Sequence, residues 1–173
     1  VGHSARDTFA VMNGRGIPME QKPFSIGVRV EHLQSMINES QYGSFADRLP
    51  AADYKLAYRC KNGRGVYTFC MCPGGEVVAA ASSEGMMVTN GMSYAARDGR
   101  YANSALLVDV RTDDFDGDDV LAGVRFQEKY EHFAYKLGGG YAPVQTTWGR
   151  FREDAVNAAA GNSENPNKVA GCL

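Results

Sequence analysis

From Phe24 to Val30 the chain alternates, with Phe24, Ile26, Val28 and Val30 on one side and Ser25, Gly27 and Arg29 on the other. Successive side chains of an extended strand point to opposite faces, so this pattern predicts a half-buried strand. Tyr54, Leu56, Tyr58 and Cys60 alternate in the same way. Lys61-Asn62-Gly63-Arg64 follows as a turn and residues 65–72 as the returning strand, which predicts a hairpin. Pro73-Gly74-Gly75 then separates the run 66–72 from a second run, 76–81, and this predicts another hairpin. Residues 86–90 read as a short strand and 105–110 (Ala-Leu-Leu-Val-Asp-Val) as a buried one. Helical spacing appears elsewhere. Ser4 and Asp7 resemble a capping box ahead of Phe9 and Met12, with Gly14 or Gly16 as the stop. Leu33, Met36 and Ile37 mark a short helix near 32–41. Leu121, Val124, Phe126, Tyr130, Phe133 and Leu137 mark a long one over about 120–137, halted by three glycines, and 151–160 carries a weaker signal. Locally paired strands with helices set apart predict an α+β fold: a mainly antiparallel sheet, open or barrel-like, flanked by two or three helices.

At 173 residues and 44% hydrophobic composition, the chain can bury one sizeable core. We therefore expect a single domain over 1–160, and a flexible tail over 161–173, where Asn, Gly and Ser dominate. Eighteen basic and twenty acidic residues leave a net charge of −2 with no basic stripe, which argues against nucleic acid or an anionic membrane as partner. No apolar run approaches the ~20 residues of a membrane helix.

Cys70 and Cys72 are the best candidates for chemistry, since in an extended strand both would share one face. Packing as small hydrophobes is the reading their setting favours; redox work and the lining of a pocket are the alternatives. Cys60, Cys172, His3, His32 and His132 supply no second ligand pair, so no metal site is expected. The acidic stretch 112–119 fails as an EF-hand, because the required glutamate is missing from its last position. Residues 90–104 read as a polar, glycine-punctuated loop, either a surface loop or a pocket wall. Arg97 there could pair a carboxylate or phosphate. No G-x-S-x-G nucleophile motif occurs.

The stretch RGVYTFCMCPGGEVVAAASSEGMMVTNGMSYAARDGRYANSALLVDV (64–110) and the opening G-H-S-A-R-D (2–7) closely resemble the uncharacterised FAD-dependent dehydrogenases related to two-dinucleotide-binding-domain flavoproteins. The resemblance covers about 1–144. It implies an inserted, substrate-facing domain that caps a flavin held on a Rossmann domain, with 1–7 marking the junction between the two. Gly14-Arg15-Gly16 and Gly63-Arg64-Gly65 carry only the first glycines of the G-x-G-x-x-G fingerprint. FAD is accordingly expected on the missing Rossmann domain rather than here, and these residues are not expected to catalyse alone. By the same resemblance His3, Arg6, Gly74, Gly75, Asn90, Arg97 and Asn103 would face substrate or flavin, and Cys70 and Cys72 could exchange electrons with it. His3 could equally be a frayed terminus. The partners implied are the FAD-binding domain of the same chain and an unidentified small-molecule substrate, in the cytoplasm. Apolar area left bare would favour a homodimer of the piece. The rival class is a non-catalytic domain for protein interaction or dimerisation.

Overall fold

The computed structural model describes residues 2–159; the expected tail lies outside them. Four helices accompany six strands in two antiparallel sheets. In chain order they are α1 (Arg6–Gly14), β1 (Phe24–Leu33), α2 (Gln34–Tyr42), β2 (Ala57–Arg59), β3 (Gly65–Cys72), β4 (Gly75–Ala80), β5 (Val88–Ser93), β6 (Tyr101–Val110), α3 (Ala122–Leu137) and α4 (Trp148–Ala159). The larger sheet runs β1-β6-β3-β2, and β4 pairs with β5 in a separate ribbon. The fold is α+β, and the sheet is open rather than barrel-like, with β1 and β2 as its edges.

The alternation read from β1 is realised. Phe24, Ile26, Val28 and Val30 stand opposite Val110, Val108, Leu106 and Ser104 on β6, all on one face. The hairpin at Asn62-Gly63 also forms, pairing Ala57 with Tyr67 and Arg59 with Gly65. It is locked from outside: Arg64 grips Asp114 with two bonds of 2.6 Å and donates to the Asp109 carbonyl at 2.8 Å.

The hairpin expected across Pro73-Gly74-Gly75 does not form. β2 occupies its side of β3 only over Gly65–Tyr67, and β4 pairs with β5 instead of folding back on the free edge at 69–72. A register shift between Phe69 and Cys72 and a φ of +53° at Gly74 carry the chain out of the sheet. The polar loop expected over 90–104 is shorter, 94–100, since β5 runs to Ser93 and β6 begins at Tyr101.

Two clusters hold the molecule together. At one end of the sheet Phe24 stacks on Phe115 at 5.4 Å and meets the edge of Phe126 at 5.8 Å, over Val110 and Ala122. At the other end Gln34 donates to Asn38 and to the Ala52 carbonyl, and it accepts from the Gly74 amide at 2.8 Å. The apolar stripe of α3 is only partly covered: Phe126 packs into the core and Ala122, Glu131 and Ala134 are buried, while Tyr130, Phe133 and Leu137 are exposed. Among the described residues no helix is long and apolar enough to cross a membrane.

Candidate functional site

The residues singled out from the sequence fall into two places, at opposite ends of the β4–β5 ribbon. The first is the corner after β3. Cys70 (φ +46°) and Arg97 (φ +53°) are the non-glycine residues with positive φ among those described. L-residues in such regions cost on the order of 1–3 kcal/mol and persist only where the surroundings enforce them. The enforcement is visible. A Cβ on Gly74 would overlap the Arg97 carbonyl, one on Gly75 the Met92 carbonyl, and one on Gly99 the Gly74 carbonyl. Close approach does explain the glycines, but what approaches is backbone.

Behind this corner lies a polar cluster. Arg29 on β1 donates from Nε to Asn103 Oδ1 on β6 and from Nη2 to the Cys70 carbonyl, each at 2.6 Å. The same Nη2 lies 3.3 Å from Cys72 Sγ. Asn103 is 0% exposed, and its Nδ2 has no protein partner. Strict alternation would put both cysteines on one face, but the irregularity in β3 separates them. Cys72 is buried and Cys70 is exposed, both as free thiols. Asn90 is exposed on β5 opposite Val78, and the Arg97 side chain is exposed in the loop before β6.

The second place is a cleft of about 360 Å³ between α1, the segment 19–24 and α3. Phe9, Phe24, Phe115 and Val124 give it an apolar wall, and His3 and Arg6 stand at its polar end. His3 is tied down rather than frayed. Its Nε2 lies 2.8 Å from Glu131 Oε1, which also accepts Arg6 Nη2 at 2.6 Å. Arg6 reaches Met86 Sδ with Nη1 at 3.0 Å, so its guanidinium bonds α1 to α3 and to the start of β5. His3 and Arg6, expected to face substrate or flavin, thus already share the buried Glu131 carboxylate.

Sequence reasoning missed Arg29, Glu131 and Gln34. Arg29 had a signal, as the one charge inside the alternating run of β1. Glu131 had a weaker one, as an acid three residues before Ala134 on the helix side built of small residues. Gln34 had none.

Ionisation is perturbed away from both places. Arg64 lowers the Asp114 carboxyl from 3.8 to about 2, through its hydrogen bonds, with help from the Arg111 amide. Burial raises the Tyr54 phenol, whose oxygen sits 2.8 Å from His32 Nε2. Among the described residues no group of three metal-ligating side chains converges.

Residues 23–170 match the family model described as FAD-dependent protein, C-terminal domain-like. The chain belongs to that family. An uncharacterized protein of Clostridium beijerinckii is 53% identical over 166 residues, which make up 93% of this chain and 31% of that protein. The chain thus spans about a third of the length of the relative it matches. As a member of a FAD-dependent family, it can be tested for a dinucleotide cradle, which needs a glycine loop between a strand and the start of a helix. Gly14 and Gly16 lie at the end of α1, Gly63 and Gly65 in the β2–β3 turn, and Gly138 to Gly140 after α3. None opens a helix after a strand, so these residues do not fit FAD as its holder.

Proposed function

We propose that this domain is the substrate-facing cap of a FAD-dependent oxidoreductase, a dehydrogenase, and that the rest of the parent chain holds the flavin. The single observation that carries this is the family match over 23–170, in a chain whose described residues place no glycine loop between a strand and a helix start. The relative is about three times as long as the matched region, which leaves ample chain for a flavin-binding unit. The cleft beside His3 and Arg6 supports the substrate-facing part. Its volume suits a small metabolite, and an apolar wall beside polar groups such as Gln21, Lys22 and Gln127 can hold and orient one. Cys72, buried against Arg29, serves packing in this reading, and Cys70 points away from it. Free thiols at Cys60, Cys70 and Cys72 fit the cytoplasm, the compartment we infer.

The test is flavin accessibility in the full-length parent. Iodide should quench the flavin weakly in the intact protein and several-fold more strongly in a folded version lacking residues 23–159, each with one FAD per chain. Equal quenching would remove the cap from the account. Replacing Cys70 and Cys72 by Ser in the same parent should leave flavin reduction unchanged.

A further inference from the structure

An antiparallel sheet ordinarily turns its apolar face to a core and its polar face to water. Here the assignment is inverted over much of the sheet. The face carrying Arg29 and Asn103 receives the β4–β5 ribbon, while the opposite face bears no Asp, Glu, Lys or Arg on any of its strands. That second face is covered at one end by Phe115, Ala122 and Phe126, and at the other by Tyr54, which reaches His32. Between them Val28, Val66, Leu106 and Val108 are only half-buried. At the β2 edge Leu56 and Tyr58 stay 63% and 67% exposed.

The bare stripe of α3 continues this surface. Tyr130, Phe133 and Leu137 follow one another at helical spacing and are 43%, 36% and 40% exposed. Tyr130 packs on Phe126 at 4.9 Å, and Phe126 packs on Phe24, the first residue of the sheet face. Isolated exposed apolar side chains are ordinary, but a contiguous set spanning a sheet and a helix marks an interface.

We propose that this surface, from Leu56 and Tyr58 across the sheet to Tyr130, Phe133 and Leu137, is the seat of the flavin-binding part of the parent chain. The inference rests on the cap reading and specifies where the cap attaches. The occupant is argued from length and from chemistry. The matched relative carries more than twice as much chain outside the matched region as within it. A cap over a flavin held elsewhere in the parent lies against the part that holds it. Attachment here leaves the outer face of the β4–β5 ribbon and the side chain of Tyr94 in water.

Hydroxyl-radical footprinting of the full-length parent, purified as a monomer with its FAD content measured on the same sample, tests this. Tyr58 and Tyr130 are expected to label at least five-fold more slowly than Tyr94, which is 58% exposed in the domain. An L56D/F133D parent, which keeps both tyrosines, should lose that protection. Labelling of Tyr58 and Tyr130 at the rate of Tyr94 in a FAD-loaded monomer would overturn the seat and leave the cap reading standing. Protection that vanishes on dilution of a dimer would give the surface to a second copy and overturn the proposal. Protection in a parent that takes up no FAD even at saturating flavin would overturn the flavin-bearing occupant, and the cap reading with it.

Discussion

Arg29 Nε lies 2.6 Å from Asn103 Oδ1, and this bond joins β1 to β6 beneath the corner where the chain leaves the sheet. The same guanidinium holds the carbonyl of Cys70, a residue in left-handed conformation, so one side chain supports both the strand pairing and the strained turn. Replacing Arg29 with Met leaves Oδ1 of the fully buried Asn103 unpaired and takes the charged donor from the Cys70 carbonyl, which keeps only the Cys72 thiol. A buried acceptor left unpaired costs about 1–3 kcal/mol. The expected loss in urea unfolding of R29M is about 2–4 kcal/mol, and R29K should recover only part of it, because a single ammonium cannot serve both acceptors in the same fork.

Gly74 and Gly85 separate two costs that a positive φ can carry. Both are left-handed, at +53° and +71°, but only Gly74 faces backbone within contact distance of a Cβ. G85A should cost about 1–2 kcal/mol, the ordinary penalty for an L-residue there. G74A must also push the Arg97 carbonyl away, and should cost more than about 3 kcal/mol. Chemical denaturation of the pair reads the difference.

Asp114 makes the hairpin lock sensitive to acid. Its carboxyl titrates near 2 in the folded protein against an ordinary 3.8. A depressed folded value means the stabilisation is fully present above about pH 5 and is lost as the pH falls from about 4 toward 2. D114N should therefore be less stable than the parent sequence at pH 7 and converge with it near pH 2. A constant difference across that window would contradict the assignment of the lock to the Arg64–Asp114 pair.

Thiol alkylation followed by peptide mass mapping should modify Cys70 well before Cys72, because the first is exposed and the second is buried at 8% exposure. Equal rates would mean that the corner opens on the labelling timescale.

The features legible in the sequence were those encoded by local period and turn chemistry. Strand β1, the Asn62-Gly63 hairpin and α3 all follow from spacing within a dozen residues. What failed depended on partners far along the chain. Nothing near Pro73 reveals that β3 bends out of register against β6, some thirty residues further on, and that β4 pairs with β5 instead. The cysteines were placed on one face because period-two counting cannot anticipate the irregularity between Phe69 and Cys72. The His3–Arg6–Glu131 cluster joins residues 125 or more positions apart, and only packing could disclose it. The spacing of α3 identifies its apolar stripe, but not that the stripe divides, with Phe126 packed on Phe24 and with Tyr130, Phe133 and Leu137 exposed.

The central claim is that these residues cover a flavin they do not hold, and a FAD titration tests it most directly. Flavin fluorescence or gel-filtration recovery should show no stoichiometric FAD on residues 1–173 alone and one FAD per chain on the full-length parent. Tight, one-to-one binding of FAD by residues 1–173 alone would contradict it.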